Sequence, residues 1–286
     1  MVLFGCASAP PNAPVKEPTV SVTVPKTPPK IGLALGGGAA RGFAHVGVIQ
    51  VLEEAGISPV LVTGTSAGSL VAALYASGKN GAQLQKVAES MDESTIADWT
   101  LPFFGRGVLR GEALAKYVNA QVGQKRIEAM PLPLGIVATD LNSGNDMLFQ
   151  RGDTGTAVRA SSAVPAVFTP VKINGHDYVD GGLSSPVPVR AARKMGAELV
   201  IAVDISSPPE GSSASGTIEI LLQTFSIMGK SINGFELKDA DVVVRPVLTG
   251  VSSSDFSSRK RSIEAGRQAM LQALPQLRSA IAAKSR

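Results

Sequence analysis

Hydrophobic positions along this chain fall into two patterns. Runs of consecutive apolar residues at 31–35, 60–62, 134–140 and 198–204 stop abruptly at turn residues, as strands buried on both faces do. Stretches with apolar residues three or four apart lie between them. Phe43, Val46, Val48, Ile49, Val51 and Leu52 predict a helix ended by Gly56, and Ala67, Leu70, Ala72, Ala73 and Leu74 predict another. The same spacing predicts helices over 83–91, 112–120, 153–161 (capped by Asp153 or Thr154), 189–195, about 218–228 and about 262–283. A strand at 242–244 and a hairpin over 171–180, turning on Asn174-Gly175, complete the set. The order strand, loop, helix, strand, helix predicts an α/β fold with a mostly parallel sheet and helices on its faces.

Composition adjusts this picture at the N-terminus. With 286 residues and 44% hydrophobic content, the chain can bury one domain of about 250 residues, here 31–286. Residues 1–30 instead carry Pro10, Pro11, Pro14, Pro18, Pro25, Pro28 and Pro29 with few large apolar groups, which predicts a disordered, extended tether. The single cysteine, Cys6, excludes an internal disulfide and a Cys-rich metal site. Leu3 and Gly5 before Cys6 look like the end of a bacterial lipoprotein signal, without its basic and apolar parts. The expectation is a chain that begins inside its own signal and is lipid-anchored on the periplasmic side of the cell envelope. The competing reading is an ordinary disordered terminus on a cytoplasmic protein. The net charge of +4 is scattered and no nucleic-acid motif accompanies it. No apolar run reaches the roughly 18 residues of a membrane-spanning helix.

Chemistry concentrates where the run at 60–62 breaks. Gly64-Thr-Ser66-Ala-Gly68 has the Gly-x-Ser-x-Gly pattern of a nucleophile elbow, a sharp strand-to-helix turn that presents a serine. Side chains at the two glycine positions would collide with the neighbouring strand and helix, and a helix starting at Ser66 aims its free N–H groups at the reaction centre. A serine nucleophile needs a base. The chain has two histidines: His45 precedes Ser66, none follows His176, and no acidic residue between Ser66 and His176 stands on a recognisable triad-acid motif, so the α/β-hydrolase order finds no support. Convergent orders keep a Ser-His-Asp arrangement open, but His45 reads as a packing or hydrogen-bonding residue and His176 as surface. Asp180, ending the hairpin and followed by Gly181 and Gly182, is the other candidate base. A carboxylate has an ordinary pKa of about 3.9 and is a weak base. A Ser-Asp pair therefore leans on oxyanion donors, each worth about 2.7–4 kcal/mol in other hydrolases.

Gly36-Gly37-Gly38, between a strand and a helix, exposes backbone N–H groups suited to an anion. Nucleotide readings of this loop fail on spacing. Arg41 occupies the third glycine of Gly-x-Gly-x-x-Gly, and Phe43-Ala44 replaces the Lys-Ser/Thr of a Walker loop. Arg41 is a candidate to orient the loop or to add positive charge, and otherwise a surface arginine.

Together, the stretch from Leu35 to Gly47, Gly64 to Gly68, Ala160-Ser-Ser-Ala-Val-Pro165 and Asp180-Gly-Gly182 resemble the patatin-like phospholipase family, in its bacterial and neuropathy-target-esterase-like branch. The resemblance spans 31–204 and implies a three-layer α/β/α fold. It also implies a Ser-Asp dyad, with Ser66 as nucleophile and Asp180 as base. Gly37 and Gly38 would supply the oxyanion N–H groups, with Gly36 and Arg41 shaping the loop. Ala39 departs from the branch, which often has a fourth glycine there. The implied activity is hydrolysis of phospholipid or lysophospholipid esters at a lipid or membrane surface, with no metal, cofactor, nucleotide or nucleic acid. Two rival readings are a soluble esterase or thioesterase for small acyl esters and a catalytically weak lipid-binding lipoprotein. The loop from Trp99 to Phe104 is expected either to face the membrane as a lid or acyl-chain wall, or to be a packed core turn.

Overall fold

A computed structural model of the chain describes residues 1–2, 5, 27–91, 107–206, 216–252 and 255–286. Cys6 and the loop from Trp99 to Phe104 lie outside the described residues. The strands are β1 Ile31–Leu35, β2 Leu61–Thr65, β3 Gly107–Leu109, β4 Leu134–Asp140, β5 Asp146–Phe149, β6 Ala166–Phe168, β7 Val171–Ile173, β8 His176–Asp180, β9 Leu199–Val203 and β10 Val242–Val244. The α-helices are α1 Ala44–Glu54, α2 Ala67–Ala76, α3 Gly81–Ser90, α4 Glu112–Gln121, α5 Thr154–Ser161, α6 Val189–Lys194, α7 Thr217–Glu236 and α8 Arg259–Lys284.

The main sheet runs β10-β9-β1-β2-β4-β8-β7, with β5 on the far edge of β4. From β10 to β4 the neighbours are parallel, whereas β5, β7 and β8 join antiparallel. This is the mostly parallel α/β sheet expected. Alternation along β1 sorts the two faces. Leu33 and Leu35 point into the large core beneath α1, α2 and α8, while Ala34 faces a second core with Val189 and Ala192 of α6. The second face is built from small groups, and a side chain on Gly32 would press on Ala197, so short α6 lies close to the sheet. Helices on both faces make three layers. On the other side, α8 crosses α1 at Gly47 and Gly266. A Cβ on Gly47 would strike the Ile263 carbonyl, and one on Gly266 the Ala44 carbonyl.

The departures from expectation have local causes. β5 is a four-residue strand with its first two residues exposed, so it lacks an apolar run. The helix expected to end near 228 continues as α7 through Gly229 and Gly234 to Glu236. Glycine costs a helix about 1 kcal/mol without ending it, and the buried Glu236, hydrogen-bonded to the Ser185 hydroxyl, holds the last turn. α8 likewise runs through Pro275. Ahead of β1, Thr27 exchanges two backbone hydrogen bonds with Arg286, and the Lys30 N–H donates to Glu198. Residues 27–30 are thus held against the C-terminal end of the chain and the loop before β9.

Candidate active site

The pairing of β4 creates the site. Its first half pairs with β2 as far as Val137 opposite Thr65. β5 occupies the opposite edge over 136–139. Beyond Val137, β8 therefore takes the edge that β2 leaves, with Ala138 opposite Asp180. One strand exits at Ser66 and another arrives ending at Asp180, so a single register brings together residues 114 positions apart.

Where β2 leaves, a backbone donor and a backbone acceptor lose their ladder partners. The Ser161 hydroxyl replaces both, donating to the Val137 carbonyl at 2.5 Å and accepting the Ser66 N–H at 2.8 Å. Ser66 takes φ 51° and ψ −124°, a conformation that L-residues rarely adopt and that costs about 1–3 kcal/mol. The elbow glycines permit it, since a Cβ on Gly64 would meet the Gly68 backbone and one on Gly68 the Leu35 carbonyl. α2 begins at Ala67, so its positive end faces the serine.

Asp180 is 7% exposed. Its Oδ1 accepts the Gly182 N–H at 2.7 Å, and the Ser66 hydroxyl lies near enough to the carboxyl to lower its pKa. Burial is the larger influence and pushes its pKa up to about 6, against the lowering pull of these two donors. Gly181 is required, because a Cβ there would strike the Val137 carbonyl. The Asp180 carbonyl accepts the Thr139 hydroxyl at 2.9 Å, and its N–H donates to Ala163 at 2.9 Å. The carboxyl is thus fixed from three directions.

The glycine loop reaches the serine, since a Cβ on Gly37 would lie 3.2 Å from Ser66 Cβ. Its donors differ from expectation. The Gly36 N–H donates to Val203 at 3.0 Å and the Gly37 N–H to Pro186 at 2.9 Å, which takes Gly37 out of the expected donor pair. The Gly38 N–H has no partner among the described residues. Arg41 is buried, with Nε donating to the Val251 carbonyl at 3.0 Å. It ties the loop to the C-terminal segment and is not a surface residue. His45 is fully buried, with Nε2 donating to the Gly36 carbonyl at 2.8 Å, and desolvation lowers its pKa to about 4. His176 is exposed, with Nδ1 2.8 Å from Asp140. Both histidines therefore lie where the sequence reading put them, outside the Ser66–Asp180 pair.

A second tier of residues was not legible in the sequence. The segment 184–188 acts as a bracket: the Ser185 carbonyl accepts the Thr65 hydroxyl at 2.8 Å, and the Pro188 carbonyl accepts the Thr63 hydroxyl at 3.0 Å. Pro186 holds Gly37, as above, and the Ser185 hydroxyl donates to Glu236 at 2.6 Å. Glu236 is 3% exposed, and desolvation raises its pKa to about 7, opposed by the Ser185 hydrogen bond. Ser161 stood inside a motif already singled out; Glu236, at the end of an apolar helix, carried no signal at all.

Beside Ser66 opens a cavity of about 330 Å³. Its walls are nearly all apolar, with Phe43, Leu70, Leu74, Leu114, Val167 and Phe168 prominent among them. It has room for on the order of ten groups the size of a water molecule or a methylene. No cluster of metal-ligating side chains occurs among the described residues.

A strained serine at a strand-to-helix turn thus stands beside a buried carboxyl and an apolar cavity on an α/β sheet. A family model for patatin-like phospholipase matches residues 33–193, and the chain belongs to that family. An uncharacterised NTE-family protein of Mycobacterium bovis is 36% identical over 204 residues, which are 71% of this chain and 56% of the relative. Patatin-like phospholipase domain-containing protein 6 of Mus musculus is 35% identical over 200 residues, 65% of this chain and 15% of its own length. The chain thus spans little more than half of the first relative and a small part of the second. Among solved structures, VipD from Legionella pneumophila aligns with a TM-score of 0.59 at 16% identity, covering 87% of this chain and 67% of its own. That likeness supports the fold.

Ser161→Ala leaves the Ser66 N–H and the Val137 carbonyl without partners, and should lower stability by about 1–3 kcal/mol in chemical denaturation. An unchanged denaturation midpoint would show that the elbow does not need the bridge. Glu236 adds a pH effect of defined sign. The folded chain holds its proton to about pH 7, whereas the unfolded chain releases it near 4.5. The native state thus binds more protons across that window, so stability falls as pH rises through it and levels off above. In Glu236→Gln, which keeps an acceptor for Ser185, the fall in denaturation midpoint between pH 5 and pH 8 should be smaller than in the parent.

Proposed function

We propose that the chain is a serine acyl hydrolase that cleaves ester bonds of lipids, with Ser66 as nucleophile and Asp180 as its base. The observation that carries this reading is a positive-φ Ser66 beside a buried Asp180 at an apolar cavity. Asp180 takes the hydroxyl proton as Ser66 Oγ attacks the ester carbonyl. The negative charge that forms on the carbonyl oxygen faces the unpaired Gly38 N–H and the start of α2, a fixed set of dipoles needing no rearrangement. Collapse expels the alcohol, which receives the proton from Asp180 and leaves an acyl-enzyme. Water then repeats the sequence, giving its proton to Asp180 and releasing the acid and free Ser66. A carboxyl poised near pH 6 suits this exchange better than one near 4, being ionised at neutral pH yet closer to the pKa matched to proton transfer.

The cavity supports a long acyl chain as the bound part of the substrate, because some ten methylenes fit walls with few polar atoms. A phospholipid or lysophospholipid supplies such a chain.

A fluorophosphonate probe should label the parent protein, fail on Ser66→Ala, and label Asp180→Asn at least about a hundredfold more slowly. Labelling that survives in Ser66→Ala would remove this mechanism. In the parent, kcat/KM should climb through about pH 6 as Asp180 ionises and level off above it. An activity panel of phospholipid, lysophospholipid, triacylglycerol and short p-nitrophenyl esters distinguishes lipid from small-ester hydrolysis. Long-chain lipid esters should lead it by tenfold or more, about what one or two well-buried methylenes contribute. Preference for acetyl or butyryl esters would favour the small-ester reading.

A further inference from the structure

The edge of the sheet that carries Ser66 carries a second recess, and no step of the acyl transfer uses it. It opens at the carboxyl ends of β9 and β10 under the last turns of α7, with a volume of about 530 Å³. Asp204, Ser206, Lys230, Asn233, Lys238 and Arg245 supply its polar lining. β9 is the immediate neighbour of β1, whose end leads into the glycine loop, so the two openings share one side of the molecule.

Asn233 is the informative residue. It is 4% exposed, yet neither its Oδ1 nor its Nδ2 has a hydrogen-bond partner. Buried amides are almost always satisfied, and one that is not calls for a ligand or for another explanation. The charge around it selects the ligand. Lys230, Lys238 and Arg245 contribute three positive charges and Asp204 one negative, which leaves +2. Asp204 is already engaged, accepting from the Ser206 N–H at 3.1 Å, the Ser206 hydroxyl at 2.6 Å and Arg245 Nε at 3.3 Å. Lys238 lies 5.1 Å from the Phe235 ring centre, and no carboxylate among the described residues pairs with Lys230. The C-terminal end of α7 adds about half a negative charge, too little to cancel +2. An amide N–H, two ammonium groups and a guanidinium around one recess match the several acceptor oxygens of a phosphate group.

We propose that this recess is a phosphate-group site, distinct from the Ser66 cavity, in which the Asn233 amide and Lys230, Lys238 and Arg245 hold a phosphate monoester or diester. It stands apart from the question of which ester Ser66 cleaves. The phosphate has two possible sources, a free phosphate compound or the headgroup of an anionic lipid. Exposed Ile227, Met228 and Phe235 on the same helix give the second source a physical basis.

Binding, not turnover, tests this. Inorganic phosphate is titrated calorimetrically into the full chain. Separately, the Ser66→Ala protein, which cannot consume lipid by the proposed route, is floated with phosphatidylcholine vesicles with and without phosphatidic acid. Phosphate binding, or capture only by the phosphatidic acid vesicles, supports the site and tells the two sources apart. Asn233→Leu replaces an unpaired amide with an apolar group of similar size, so it should melt no lower than the parent while weakening binding about tenfold or more. The double variant Lys230→Gln, Lys238→Gln should weaken it further and flatten its salt dependence. Binding to neither probe, or binding unchanged in a folded Asn233→Leu, would overturn the proposal and leave the Ser66 reading untouched.

Discussion

Everything chemical in this molecule depends on one edge of β4 being shared by two strands. A parallel sheet would ordinarily continue β2 alongside β4 to its end. Here β2 turns out of the sheet at Ser66, and the vacated positions on β4 accept β8 antiparallel, in a register that puts Asp180 opposite Ala138. A slip of one residue would point the Asp180 side chain to the opposite face of the sheet. The register is held by side chains as well as by the ladder. Thr139 binds the Asp180 carbonyl and Ser161 bridges the gap that β2 leaves. The carboxyl is then buried by the same packing that aims it, and burial is what raises its pKa toward the neutral range. Position and basicity thus have one cause.

The bracket at 184–188 extends this constraint to the glycine loop. It touches β2 through Thr63 and Thr65, the loop through Gly37, and α7 through Glu236. Because the Gly36 and Gly37 N–H groups are consumed in anchoring the loop, the loop is rigid at its base and open at Gly38. A loop with every N–H free would be a richer anion nest but a looser one, and preorganised donors are what lower a barrier. His45 takes part on the opposite side by holding the Gly36 carbonyl. A neutral imidazole, kept so by desolvation, does this without placing a charge beside the serine.

Most of the sheet was legible because β1, β4, β9 and β10 are continuous apolar runs whose pattern admits few alternatives. The strand-to-helix turn at Ser66 and the turn after Asp180 were legible too, since each rests on residue type at short spacing. What could not be read was whatever depends on contacts distant in sequence. Nothing within Gly36-Gly37-Gly38 tells which N–H is consumed, because the acceptors are at Val203 and Pro186. The burial of Arg41 depends on Val251, and that of Glu236 on Ser185. The pairing of Thr27 with Arg286, from opposite ends of the described chain, is equally invisible in local sequence.

Backbone strain points to the same cavity independently. Among the described residues five non-glycine positions have positive φ, and Asn174 and Gln124 are polar turn residues of the kind that tolerate it. The others gather at the cavity: Ala39 and Ser66 line it, and Ala166 lies between the lining residues Val164 and Val167. At Ala39, with φ 50°, a glycine would remove a left-handed penalty of about 1–2 kcal/mol. Alanine there adds a methyl group to the apolar wall instead. The methyl also limits the freedom of the loop beside Gly38, the position with the unpaired N–H. Strain confined to the rim of one cavity, in a fold whose core is otherwise regular, is the pattern of a site shaped against its own stability.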